Sequence, residues 1–256
     1  MDLTRALDEI SLAATQFFIV FVRTGAMTFF LPGFGESYVS PRVKLVIAMG
    51  LAAIVFPMVG PSINVSPDNQ RQIATLIGTE AIAGIFWGAI IRLVIFALQI
   101  AGSIISQSTS LAQIFGGTVN MDAQPAMGHI LVISGLALMC IVGLPEIYVV
   151  YILNTYRATP VGELLTGIAV ADFSSRYVGR TFALAFQLAA AALTATLLYN
   201  IVLGVINRAM PQLLVSFVGA PAITAGGLLI LYLMAPTILD VWLGFVADIV
   251  DLPATG

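Results

Sequence analysis

Uncharged apolar runs alternate with short polar connectors along the whole chain. A helix needs about 20 apolar residues to cross a hydrocarbon core of roughly 30 Å, and six runs come near that length. The first, Ile10 to Leu31, contains Arg23, and the second, Leu45 to Val59, is short and holds Gly50 and Pro57. The third, from about Ile73 to Ile105, encloses Glu80 and Arg92, while Pro145-Glu146 interrupts the fourth, Ile130 to Leu153. The last two are unbroken: Thr181 to Asn207 is an uncharged run of 27 residues and Ala209 to Leu239 one of 31. They predict a helical hairpin around Arg208, with Pro211 starting its second helix. Gly219 and Pro221 are expected to disrupt that helix, and Gly226-Gly227 to add a flexible point. The connectors, at about 32–44, 60–72, 114–129 and 154–180, are rich in Pro, Gly, Ser and Asn, and none is large enough for a domain. The pattern predicts an all-α, polytopic helical membrane protein with about six hydrophobic segments, kinked helices and a C-terminal helical hairpin. A single helical membrane domain over 1–256 is the simplest organisation, with no fixed-period repeat.

Composition strengthens this picture. Charged residues make up 9% of the chain and hydrophobic ones 59%, with a mean hydropathy of +1.03. Soluble domains carry about 25% charged residues, so this chain cannot clothe a globule in polar groups. The formal net charge of −3, without a basic cluster, argues against nucleic acid as a partner. One histidine, His129, and one cysteine, Cys140, leave the usual metal sites without ligands. No nucleophile elbow with a usable histidine, phosphate-binding loop or His-Glu-x-x-His is present, so neither a catalytic residue nor a cofactor is expected. Three acids against Arg5 in the first nine residues have the wrong sign for a signal peptide, so the first segment is expected to be retained. Lipidation motifs are absent as well. In a six-span arrangement with the N-terminus inside, inner segments hold five basic residues and outer ones three. That split is too small to fix an orientation. Helices shielded by partner subunits instead of spanning individually would explain it, as would an ordinary weak bias.

Charges inside the apolar runs are the first candidates for chemistry. Glu80 and Arg92 would each cost about 2.5–3.5 kcal/mol at a bilayer centre. Twelve positions apart on one helix means about 18 Å of rise and about 120° of rotation, so they cannot pair with each other. Each needs another partner: a relay that includes Glu146 would suit a secondary transporter, and pairing with neighbouring helices would be structural. Glu80, Gly84 and Gly88 follow at intervals of four, which sets a small-residue packing face beside the carboxylate. Gln99, Ser103, Ser106, Gln107, Ser110 and Gln113 form one polar, uncharged stripe at helical spacing. Such a stripe fits a water-filled pathway or a hydrogen-bonded helix interface. Directly after it, Ile114-Phe115-Gly116-Gly117 and Met121 combine bulky apolar side chains with a pliable backbone, which suits a mobile apolar constriction.

Gly204, Arg208, Pro211, Gln212, Gly219 and Pro221 give the most distinctive run, and there the sequence resembles the FliR family of flagellar type III export-gate proteins. Upstream, the resemblance takes in Arg23, Pro32, Pro41-Arg42, Pro57, Glu80, Gly84, Gly88, Gly102 and Pro160. It departs at Leu214, where many relatives have Asn, and Asn120 to Pro125 only approximates the family's Asp-Pro region. The resemblance implies a non-enzymatic subunit that assembles with FliP and FliQ into a helical pore, with FlhB attached. Unfolded flagellar export substrates would pass through it. The implied location is the bacterial inner membrane, within the flagellar basal body. By position, the stretch from about Ser106 to Asp122, with Ile114, Phe115, Gly116, Gly117 and Met121, corresponds to the family's plug loop, and the polar stripe before it would line the path. Family members sit largely withdrawn from the bilayer plane, which would account for the weak charge asymmetry. An injectisome homologue and a secondary transporter are the alternatives; the Asn-Arg-Ala-Met-Pro-Gln and Gly-Ala-Pro runs favour the flagellar branch.

Overall fold

Ser40-Pro41 is a strong helix start. The Ser40 hydroxyl accepts from the Val43 amide and Pro41 occupies the first turn, where its missing N–H costs nothing. In the computed structural model, which describes residues 3–67, 69–114, 126–209 and 215–255, this begins the helix Pro41–Val59. The full order is α1 (Leu3–Thr28), α2 (Pro41–Val59), a 3-10 turn (Gly60–Ser62), α3 (Gln70–Ile114), α4 (Ala126–Val142), α5 (Leu144–Ala158), α6 (Gly167–Ala209) and α7 (Val215–Thr255). No strand occurs among the described residues. Among the described residues, four helices are long and apolar enough to cross a membrane, or up to six if two bent pairs each count as one span.

Pro57 lies inside α2, which continues to Val59, because proline forfeits one hydrogen bond but the turn that follows it is completed. The fourth apolar run breaks at Gly143, two residues before Pro145. Gly143 adopts φ +108, a conformation that favours glycine, and α5 restarts with Pro145 in its first turn. The two helices diverge by 83° there. α7 is helical through Gly219, Pro221, Gly226 and Gly227, so the expected disruption is not a break. A run of 41 helical residues tolerates three prolines (Pro221, Pro236 and Pro253) and four helix-weakening glycines when its other positions are mostly apolar.

The chain packs as two compact units. One comprises residues 1–94, 139–177 and 246–256. Its centre is the face of α3 made by Ala83, Trp87, Ile90, Ile91 and Val94, all buried and spaced by three or four residues. Tyr148, Tyr151 and Ile152 of α5 and Ile249 of α7 are buried in the same unit. Phe17 of α1 meets Phe56 of α2 edge to face, at 5.6 Å between ring centres.

The other unit comprises residues 95–138 and 178–245. Leu98 and Ala101 of α3, Leu184 and Leu188 of α6, and Leu231 and Trp242 of α7 are buried within it. Gly135 of α4 allows the closest approach, since a Cβ there would sit 2.5 Å from Leu98 Cδ1 and 3.2 Å from the Trp242 ring.

Candidate functional site

Two arrangements stand out, one closed and one open. The closed one lies in the first unit, around Arg23 of α1. This guanidinium and Glu80 of α3 are both wholly buried and meet side-on, with Nε 2.7 Å from Oε2 and Nη2 donating to Oε1 at 2.9 Å. Nη1 donates to the Thr159 carbonyl at 2.8 Å and, more weakly, to that of Thr155 at 3.4 Å. Arg23 thereby gives the Thr159 carbonyl, just past the end of α5, a donor and adds a second one to the Thr155 carbonyl, which already accepts from the Thr159 amide. The Tyr156 ring lies against the guanidinium, 4.1 Å from ring centre to Cζ. Glu80 Oε1 also accepts from the Gly162 amide at 3.1 Å, in a turn where Gly162 has φ +84.

Thr159 extends the network. Its hydroxyl accepts from Trp87 Nε1 at 3.1 Å, and the Tyr151 hydroxyl donates to the Trp87 carbonyl at 2.7 Å. Gly84 and Gly88 bring α3 against α1. A Cβ at Gly84 would sit 2.6 Å from the Arg23 carbonyl oxygen and 2.8 Å from Ala26 Cβ, and one at Gly88 would sit 3.0 Å from the Phe30 ring. The absent side chains are what let the two charges close on each other.

Arg92 finds a separate partner. Its two terminal nitrogens bind both oxygens of Glu36 at 2.6 and 3.1 Å, and this pins the connector after α1 to α3. Lys44 Nζ donates to the Gly35 carbonyl at 2.9 Å, and the Tyr148 hydroxyl donates to that of Pro32. Glu80 and Arg92 are therefore held in separate pairs, with Arg23 and Glu36. The relay expected of a secondary transporter, with Glu146 as its third member, is not assembled. Glu146 sits in the first turn of α5, where a negative charge complements the helix dipole. The sequence reading took Arg23 as an interruption of the first run and as part of the family resemblance, gave it no partner, and overlooked Glu36. One buried base and one buried acid in different apolar runs was the signal available for the first pair.

The open arrangement lies in the second unit. Gln99 and Gln107 are exposed on α3 and Ser103 and Ser106 are half-buried, whereas Ala97, Leu98, Ala101 and Ile105 between them are buried. Ser103 turns its hydroxyl to the Ile100 carbonyl at 2.8 Å. Gln99 and Gln107 thus point out of the chain, whereas the Ser106 hydroxyl oxygen is buried. Ser110 and Gln113 continue α3, and Ile114 is its last residue. The side chains of Ser110, Gln113 and Ile114 lie outside the described residues, as do Phe115, Gly116, Gly117, Met121, Pro211 and Gln212 altogether. Arg208 is exposed in the last turn of α6, and Gly204, Gly219 and Pro221 are helical. Among the described residues no group of acidic, histidine and cysteine side chains could hold a metal ion.

Long apolar helices, with an ion pair wholly buried between two of them, define a multi-pass α-helical membrane protein. Residues 14–249 match the family described as bacterial export proteins, family 1, and the chain belongs to that family. It is 28% identical over 235 residues to the flagellar biosynthetic protein FliR of Caulobacter vibrioides, covering 91% of this chain and 94% of that protein. Over 221 residues it is 25% identical to FliR of Aquifex aeolicus, with 85% and 84% covered. Against FliR of Bacillus subtilis it is 27% identical over 210 residues, with 80% of each chain covered.

Proposed function

We propose that this chain is a structural and gating subunit of the flagellar type III protein export gate in the inner membrane. It assembles with FliP and FliQ, FlhB attaches to the complex, and unfolded flagellar proteins pass through. The observation that carries this reading is the uncharged polar stripe of Gln99, Ser103, Ser106 and Gln107, whose two glutamines are exposed. An uncharged polar face with apolar residues behind it wets a passage without binding a moving polypeptide by charge. Family membership over 14–249 and three FliR proteins matched along most of their length support the flagellar branch. On this reading, residues 106–122 form the plug, with Ile114, Phe115, Gly116, Gly117 and Met121 closing the apolar constriction, while Arg208, Pro211 and Gln212 shape the C-terminal hairpin. The chain contributes architecture and closure; energy comes from other components.

The test is to tag the chain in its native host, extract it in mild detergent, and determine the mass and composition of what accompanies it. Several copies of two other small helical membrane proteins are expected. A reproducible monomer or homodimer would sink the proposal. In an assembled complex, bulky replacements of Gly116 and Gly117 should alter ion leak or secretion; unchanged values would remove the plug assignment alone.

A further inference from the structure

We infer that Glu36 keeps the passage of the proposed export gate free of net charge, by cancelling a positive charge that stands on the line of the polar stripe. The inference rests on the pathway role proposed above. Arg92 is the only charged residue of α3 beyond Glu80. It precedes Gln99 by two helical turns, about 10.5 Å of rise, with a rotation of only about 20°. Ser103, Ser106 and Ser110 follow on the same line of the helix, each within about 40° of Arg92. Arg92 therefore shares the face from which Gln99 is exposed, while Ile91, Val94 and Leu98 are buried on the other side of the helix.

A bare guanidinium at this place would hold acidic stretches of a passing polypeptide and repel basic ones, which is what an uncharged stripe avoids. Glu36 removes that charge. Its two oxygens take both terminal nitrogens of Arg92, at 2.6 and 3.1 Å, in a bidentate pair. The two side chains keep 18% and 14% of their surface exposed, against 0% for Arg23 and Glu80, so water and mobile ions reach this pair and its net charge is felt outside the chain. Glu36 comes from the connector after α1, which is fastened on either side of it by contacts that do not involve the carboxylate. The Tyr148 hydroxyl donates to the Pro32 carbonyl, and Lys44 Nζ to that of Gly35 at 2.9 Å. Gly35 itself must lack a side chain, since a Cβ would run into the Phe29 carbonyl. The connector thus holds the carboxylate over Arg92 whether or not the pair is intact.

The test measures the local potential at position 99 in the full-length chain, extracted from its native host in mild detergent with whatever accompanies it. Gln99→Cys, in a Cys140→Ser background because Cys140 is exposed, is reacted with a negatively and a positively charged thiosulfonate of similar size. At about 10 mM salt, Glu36→Gln should raise the ratio of anionic to cationic rates about 2.5-fold, the effect of one charge roughly 10 Å away in water. Arg92→Gln, which bares Glu36 instead, should lower the ratio by about the same factor, and it carries the test if Glu36→Gln fails to fold. The double variant Glu36→Gln/Arg92→Gln and the exchanged pair Glu36→Arg/Arg92→Glu should both return the parent's ratio. Each shift should vanish at about 1 M salt, where the Debye length is about 3 Å. A connector that had merely loosened would change both rates together and keep that change in salt. Ser11→Cys, exposed on α1 about 26 Å before the connector, should show no shift. Equal ratios in the parent, Glu36→Gln and Arg92→Gln, with the partner subunits still bound, would overturn the role of Glu36 and leave the proposed function standing. No reaction at Gln99→Cys, in the extract and in exporting cells alike, would remove the passage along the stripe and this inference with it.

Discussion

Replacing Glu80 by glutamine removes one charge from a pair whose two side chains are both wholly buried. Much of the local geometry survives, because a glutamine oxygen can still accept from the Gly162 amide and from Arg23 Nη2, where Oε1 now does at 3.1 and 2.9 Å. What is lost is the charge at Oε2, which lies 2.7 Å from Arg23 Nε. An amide nitrogen placed there meets another donor. Arg23 keeps its contacts with the Thr155 and Thr159 carbonyls and with the Tyr156 ring, but none of these carries a compensating negative charge. Breaking a buried pair from one side costs about 3–5 kcal/mol, because the partner's desolvation is no longer offset. The assay is unfolding of the detergent-purified protein by a denaturing detergent, followed by tryptophan fluorescence. Trp87 reports on this network through its bond to Thr159. Arg23→Leu and the double variant Arg23→Leu/Glu80→Gln complete a cycle, in which the double variant should be less destabilised than the two single changes added together. A single-variant cost below about 1 kcal/mol, or strict additivity, would refute the reasoning. Loss of export at unchanged stability would instead restore the proton-relay reading.

Gly84→Leu should destabilise by about 1–3 kcal/mol through overpacking against the Arg23 backbone and Ala26, whereas Gly78→Ala, with nothing within 4 Å, should stabilise α3 by up to about 1 kcal/mol; the same unfolding assay separates them. Gly143→Ala places a side chain at φ +108 and should cost about 1–3 kcal/mol, with protease sensitivity appearing between α4 and α5. Cysteines at Gln99 and Gln107 should react with a membrane-impermeant thiol reagent in the assembled gate when it is open, and a cysteine at Ala101, buried on the opposite face, should not. Equal labelling at the three positions would remove the pathway role of the stripe.

Hydropathy located the helices well and their ends poorly, for a physical reason. It reports which residues avoid water, and helices continue past that limit wherever caps or polar pairs satisfy the backbone. α6 begins at Gly167, fourteen residues before its uncharged run, and its exposed first turns carry the Asp172–Arg176 pair at a spacing of four. α7 runs sixteen residues beyond Leu239, through Asp240, Asp248 and Asp251. The break near residue 145 was legible because Pro145 forbids continuation, but its place belongs to Gly143, the residue able to take a left-handed conformation. The polar stripe was legible from spacing alone. Its orientation was not, since Leu98 is buried beside Gly135 of α4 and Trp242 of α7, which no local pattern connects to α3. Arg23 and Glu80 are 57 positions apart, and only the approach of α1 to α3 at Gly84 and Gly88 brings them together.

The two arrangements call for opposite treatment of polarity, and the chain keeps them on different lengths of α3. Within residues 70–94 the two charges set in the apolar run, Glu80 and Arg92, are each closed by a partner from another element, so that the helix is fixed to α1, to the connector after it and to the end of α5. Residues 95–107 use none. Their polar groups are amides and hydroxyls, which water can solvate and an unfolded polypeptide can slide past, with no net charge to hold it. Exchanging the two would fail on both counts. Amides at 23 and 80 would pack without the charge complementarity that defines one register, and charges at 99 and 107 would arrest substrates of opposite sign. A gate must be rigid where it is built and indifferent where it conducts, and the distribution of charge along this one helix meets both requirements.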